Sequence, residues 1–132
     1  MSKVITLSEA ASIGLHGMIL VAKAPNSINV IKIAEQTNTS KHHVAKILQR
    51  LVKEGFLLSQ RGPTGGFSLK KNPDDVNFLD IYEAIEGKIE ISKCPMDKKI
   101  CNMEKCIMSN VTNRMAMEFR EYLKSQTLSM YL

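Results

Sequence analysis

Thr39-Ser40-Lys41-His42-His43-Val44-Ala45-Lys46-Ile47-Leu48-Gln49-Arg50-Leu51, followed after three residues by Gly55-Phe56-Leu57-Leu58-Ser59-Gln60-Arg61-Gly62-Pro63-Thr64-Gly65-Gly66-Phe67, is the stretch that decides the fold. In its first half Val44, Ile47, Leu48, Leu51 and Val52 recur at the three-to-four spacing of one helix face. The other side carries Lys41, His42, Lys46, Gln49, Arg50 and Lys53. Thr39 or Ser40 is placed to cap this helix, because a side-chain oxygen there accepts a backbone N–H that would otherwise lack a partner. Gly55 is a stop signal. The second half reads as two short strands around a glycine-rich turn, a β-hairpin.

Working outward toward the N-terminus, residues 30–37 read as a short helix with Val30, Ile33 and Ala34 inward, and Asn38-Thr39 makes a tight turn. Residues 8–23 form an earlier helix with Ala11, Leu15, Met18, Ile19 and Ala22 on one face, ended by Pro25-Asn26. Short helix, turn, longer helix and basic hairpin, in that order, spell a helix-turn-helix with a wing. Toward the C-terminus a helix over 78–86 is capped by Asn77, faces inward with Ile81 and Ile85, and ends at Gly87. A long helix over 108–124 carries Val111, Met115, Phe119, Tyr122 and Leu123. That stripe is long for so small a domain and predicts a dimerisation helix; packing onto the chain's own core is the alternative. The expected architecture is mainly α with a small β-hairpin. Residues 1–75 make a winged helix-turn-helix domain, and residues 76–132 a helix, a cysteine loop and the dimerisation helix.

Charge is concentrated where this pattern lies. Between Ser40 and Lys71 seven lysines and arginines face the single acid Glu54, a net of +6, so the rest of a chain of net +5 sums to −1. A local excess of this kind attracts a polyanion such as DNA; the bland reading is a solvated basic helix face. The N-terminal part of a helix lying in the major groove reaches base edges. Lys41, His42 and Lys46 occupy those positions, with Ser40 at the helix start. Gln49, Arg50 and Lys53 lie later and are expected against phosphates, which contribute affinity without reading sequence. His43, one step round from His42, is expected to turn partly inward in a structural role. Arg61 sits where a hairpin tip enters the minor groove, whose narrow A/T-rich form attracts arginine. Gly62, Gly65 and Gly66 allow close approach to a backbone, or simply make the turn.

The three cysteines of the chain, Cys94, Cys101 and Cys106, fall within thirteen residues. An odd number does not pair completely within one molecule. Three soft ligands on a short loop instead fit a soft metal centre. Lysines 93, 98, 99 and 105 surround them, and nearby positive charge favours the thiolate. Zinc competes with an iron–sulfur cluster, since three Cys and one His also make a zinc site. The N-terminal stretch lacks a secretory pattern and no apolar run reaches the ~20 residues of a membrane span, so a reducing cytoplasmic setting is expected, with no membrane partner.

These residues together resemble a known family. The helix of Thr39–Leu51, the Arg61-Gly62-Pro63-Thr64-Gly65-Gly66-Phe67 wing and the cysteine loop after Ala84-Ile85-Glu86-Gly87 are similar to those of the bacterial winged-helix iron–sulfur regulators typified by IscR, NsrR and RirA. The resemblance covers nearly the whole chain, and the wing is its most specific part. It implies a homodimer with crossed C-terminal helices, binding a double-stranded DNA operator, as a repressor that senses iron, redox state or nitric oxide. Carried over by position, Arg61 is the minor-groove arginine, and Lys41, His42 and Lys46 read bases. Cys94, Cys101 and Cys106 hold a cluster of the 2Fe-2S or 4Fe-4S type. Two features depart from the pattern: the spacing is C-x6-C-x4-C, and Ser109 stands where some members place a histidine. A fourth ligand must then come from elsewhere, and some members recruit one from the first helix of the other subunit. In that helix His16 is the best candidate and Glu9 the second, while Ser12 stands where some members have a carboxylate. The alternatives are a cluster-free regulator acting through cysteine oxidation, zinc or a partner protein, and a structural nucleic-acid protein. A thiol enzyme with a small-molecule substrate is disfavoured, because the sequence holds no Cys-x-x-Cys pair and no base-and-orienter constellation.

Overall fold

The computed structural model describes residues 2–91 and 100–132. Five helices and one hairpin follow in the expected order. Helix α1 (Glu9–Lys23) starts at Ser8, whose side chain accepts from the Ala11 N–H. Helix α2 (Val30–Thr37) starts at Asn29 in the same way, its side chain accepting from the Lys32 N–H. Asn38 closes α2 in the left-handed region at φ 52°, where a short polar side chain is tolerated, and lets the Thr39 N–H reach back to the Ala34 carbonyl. Helix α3 (Lys41–Lys53) begins at Ser40, not Thr39: the Ser40 hydroxyl accepts from the His43 N–H at 3.1 Å. Gly55, at φ +89°, ends it and turns the chain into the hairpin.

Strands β1 (Leu57–Gln60) and β2 (Gly66–Leu69) pair antiparallel, with Leu57 opposite Leu69 and Gln60 opposite Gly66. Phe67 also exchanges both backbone hydrogen bonds with Ile28, just before α2. The wing is therefore stitched beside its turn to the segment that leads into the helix-turn-helix. Helix α4 (Phe78–Glu86) starts at Asn77 and ends at Gly87. Helix α5 (Val111–Ser125) begins three residues later than the sequence pattern implies, because Ser109 and Asn110 adopt φ values of 48° and 64° that a helix cannot contain.

One apolar core joins these elements. Met18, Ile33, Val44, Leu48, Leu51, Val76, Ile81 and Leu128 are fully enclosed, so α1 through α4 and the chain end share it. Val30, Val52 and Ile85 are half-buried at its margin rather than inside it. Helix α5 enters the core with Leu123, and Phe119 meets the edge of the Tyr82 ring at 5.5 Å. The rest of its stripe is open: Tyr122 is 55% exposed, and Val111 and Met115, with Val4, Ile5, Met108 and Phe119, line an apolar cleft of about 470 Å³.

Candidate nucleic-acid interface and cysteine loop

The core that buries the inward stripe of α3 fixes which way its other side looks. With Val44, Ile47, Leu48 and Leu51 enclosed, Lys41, His42, Lys46 and Gln49 are all exposed. Ser40 sits at the start of α3 with its hydroxyl committed to the cap. His43 is half-buried, its Nδ1 3.1 Å from the Glu9 carboxylate, so it ties the first turn of α3 to the start of α1. Glu9, the second candidate for a fourth metal ligand, is thus paired to His43 in the free chain.

Arg50 is placed differently from the other outward residues. Its Nε–H donates to the Ala84 carbonyl of α4 at 3.1 Å, and its guanidinium lies 3.4 Å from Glu54. Lys71, counted among the basic residues, lays its ammonium over the Phe56 ring at 4.6 Å, a cation–π contact at the wing's base. The Ala84 contact has no sequence signal, because it joins segments far apart in the chain.

Arg61 is exposed just after β1, at the start of the turn. Gly65 holds that turn tight: a Cβ there would collide with the Gln60 carbonyl oxygen, so no larger residue fits without moving the backbone. The Gly65 N–H donates to the Gly62 carbonyl at 3.0 Å, closing the loop that carries Arg61. Wing and recognition helix thus present their basic residues from a shared scaffold, stitched through Phe67 and Ile28.

Cys94 lies outside the described residues. Cys101 and Cys106 are exposed free thiols. The Cys106 sulfur faces the backbone N–H groups of Met108, Ser109 and Asn110, which hold its thiol below the usual thiol range against a smaller opposing effect of desolvation. An exposed sulfur with its thiolate favoured is the form that ligates metal, so these two donors fit an iron–sulfur centre or zinc in chemistry and access. Among the described residues, no three His, Cys, Asp or Glu side chains converge to complete a metal site. His16 is exposed on α1, with Nδ1 2.7 Å from the Ser12 carbonyl. A carbonyl only accepts, so in the neutral ring the proton sits on Nδ1 and Nε2 keeps a lone pair facing outward from that bond.

The family model for Rrf2, described as an iron-dependent transcriptional regulator, matches residues 7–131. The chain belongs to the Rrf2 family. Within it, the chain is 30% identical to the transcriptional regulator NsrR of Bacillus subtilis over 114 residues, 84% of this chain and 78% of that protein. It is 34% identical over 84 residues to YffB of Lactococcus lactis, covering 62% of this chain and about half of that protein, 54%. Among solved structures, CymR, the global cysteine regulator of B. subtilis, superposes with a TM-score of 0.77 at 27% identity, covering 96% of this chain and 95% of CymR. IscR of T. potens shares the fold with a TM-score of 0.75 at 23% identity, over 96% of this chain and 85% of IscR. The winged-helix architecture and the resemblance to the regulators typified by IscR and NsrR thus hold for this Rrf2-family chain. It is a DNA-binding transcription regulator, not an enzyme. No helix among the described residues is long and apolar enough to cross a membrane.

Proposed function

We propose that this Rrf2-family protein is a cytoplasmic homodimeric repressor whose grip on an operator is set by an iron–sulfur cluster bound at Cys94, Cys101 and Cys106. The observation that carries the reading is the exposure of Cys101 and Cys106 as free thiols five residues apart, in a chain that the Rrf2 family model matches over residues 7–131. Bound there, a cluster supplies a centre that reacts with oxygen, nitric oxide or changing iron supply. His16 of the other copy is the fourth ligand, through the Nε2 lone pair that its Ser12 contact leaves available. The open apolar face of α5 is where the second copy packs.

Lys41, His42 and Lys46 read base edges in the major groove, Arg61 enters the minor groove, and Gln49 contacts a phosphate. Cluster binding biases the operator-competent arrangement only insofar as it differs between the two arrangements of the dimer.

A second reading has its own support. The likeness to CymR extends over nearly all of both chains, and exposed Cys101 and Cys106 suit direct thiol oxidation as well as ligation. Anaerobic purification followed by iron, zinc and acid-labile sulfide assays separates the two. Iron and sulfide in the wild type, lost in each of Cys94→Ala, Cys101→Ala and Cys106→Ala while helicity and melting are kept, is the expected result. Protein that stays iron-free after reconstitution, or full clusters in all three variants, contradicts it.

A further inference from the structure

We infer that Arg50 is a positioning residue that ties the recognition helix to the segment leading into the cysteine loop, and that it takes no DNA phosphate. Arg50 lies in the last turn of α3, on the side that carries Lys46 and Gln49, and is exposed as they are, yet its guanidinium is engaged by the chain itself. Its Nε–H donates to the Ala84 carbonyl at 3.1 Å. Ala84 belongs to the last turn of α4, where carbonyls have no partner within the helix and carry the negative end of its dipole. The Gly87 N–H takes the Glu83 carbonyl, and Arg50 takes the next one. The guanidinium thus acts as a C-terminal cap supplied by another helix.

Glu54, one turn further along α3, stands 3.4 Å from the same guanidinium. The pair is open to solvent, so its energy is small, but its effect on direction is not. It holds Arg50 toward α4 and sets a carboxylate beside the guanidinium, which would repel an approaching phosphate. Among the described residues Arg50 is the only lysine or arginine in an ion pair. Lys46, by contrast, projects from the same helix without one.

The end of α4 is also where the chain toward the cysteines is fastened. The Ile89 N–H donates to the Glu83 carboxylate at 2.9 Å, folding the outgoing segment back onto the turn that Arg50 caps. The Ser8 hydroxyl, which caps α1, donates to Glu86 on that same turn. Beside the packing that α3 and α4 share in the core, the Arg50 hydrogen bond is therefore a direct polar link by which a displacement of the outgoing segment reaches α3. This inference rests on the proposed signalling role of the cysteine loop, but iron does not enter its test.

The test uses full-length, reduced, iron-free protein and a duplex that it selects from a random library. Coupling between two sites is reciprocal, so operator binding must alter the loop if the loop alters operator binding. Maleimide labelling of Cys101 and Cys106, resolved by mass, is timed with and without the duplex in wild type, Arg50→Ala and Arg50→Gln. Arg50→Gln keeps part of the aliphatic stem should the alanine variant fold poorly. The expected result is a change of about threefold or more in wild-type labelling on adding operator, cut at least by half in the Arg50 variants. The slope of log affinity against log salt stays at its wild-type value in those variants, since no phosphate contact is lost. Labelling indifferent to operator in the wild type, an operator effect on labelling that keeps more than half its wild-type size in both variants, or a slope reduced by about one in either variant overturns the inference.

Discussion

The winged helix and the cysteine loop are built on opposite terms. Within α1 to β2 each local signal agrees with the packing around it: Ser8, Asn29 and Ser40 cap helices whose inward stripes meet in one core. Around Cys101 and Cys106 the apolar residues are not covered. Ile100 is 75% exposed, Met103 69% and Ile107 71%, and Cys101 and Cys106 are exposed beside them. A segment with this much bare apolar surface gains little from its own chain, so its preferred arrangement depends on what it binds. The difference teaches that the reading head is specified by folding, whereas the loop, under the proposed function, takes its arrangement from the cluster it would bind.

The comparison breaks most visibly in stability. Leu48→Ala removes a fully enclosed side chain from the face of α3 that meets α1 and is expected to cost ~3 kcal/mol. Ile107→Ala, in the loop, should stay within about 0.5 kcal/mol. Chemical denaturation of both variants checks this, and comparable losses would erase the distinction. Next in size, Arg61→Ala should weaken operator binding ~10-fold, with melting unchanged, as loss of one groove contact of order 1–3 kcal/mol implies. Lys46→Ala should relax base preference at one operator position with the salt slope unchanged, as loss of a base contact implies; a lower slope with unchanged preference would move Lys46 to a phosphate.

A smaller effect is expected at the start of the recognition helix. Ser40→Ala removes the cap on the His43 N–H and should destabilise the protein by ~1 kcal/mol, with Ser40→Asp close to neutral. The smallest effect concerns pH. The Cys106 thiol is held low by the N–H groups of Met108, Ser109 and Asn110, so its thiolate persists to lower pH than that of a free cysteine. Alkylation of Cys106 in iron-free protein should therefore reach half its plateau rate at a lower pH than the free amino acid does. A curve matching the free amino acid would mean that this turn does not favour the anion.

Much of the reading head was legible in the sequence because its causes are local. The three-to-four spacing of Val44, Ile47, Leu48 and Leu51 fixes the buried face of α3, and thereby the outward position of Lys41, His42 and Lys46. Gly55 and the glycines of the wing mark turns by conformations that other residues avoid. What the sequence hid was long-range. Arg50 reads as one more base on a helix face, and only the fold brings Ala84 and its unpaired carbonyl alongside. The stitch between Ile28 and Phe67 joins backbones, which leave no residue signature. The delayed start of α5 depends on left-handed Ser109 and Asn110, residues whose preference for that conformation is too mild to announce it. Cys94 lies outside the described residues, so the full ligand set rests on sequence and chemistry.

The most direct test of the account is operator affinity measured anaerobically, at one salt concentration, on one preparation before and after removal of iron by chelation, with the cysteines kept reduced. Affinities that differ by about tenfold or more, restored on reconstitution with iron and sulfide, are what the account predicts. Equal affinities of the loaded and stripped protein would contradict it and leave the winged helix as a reading head without this switch.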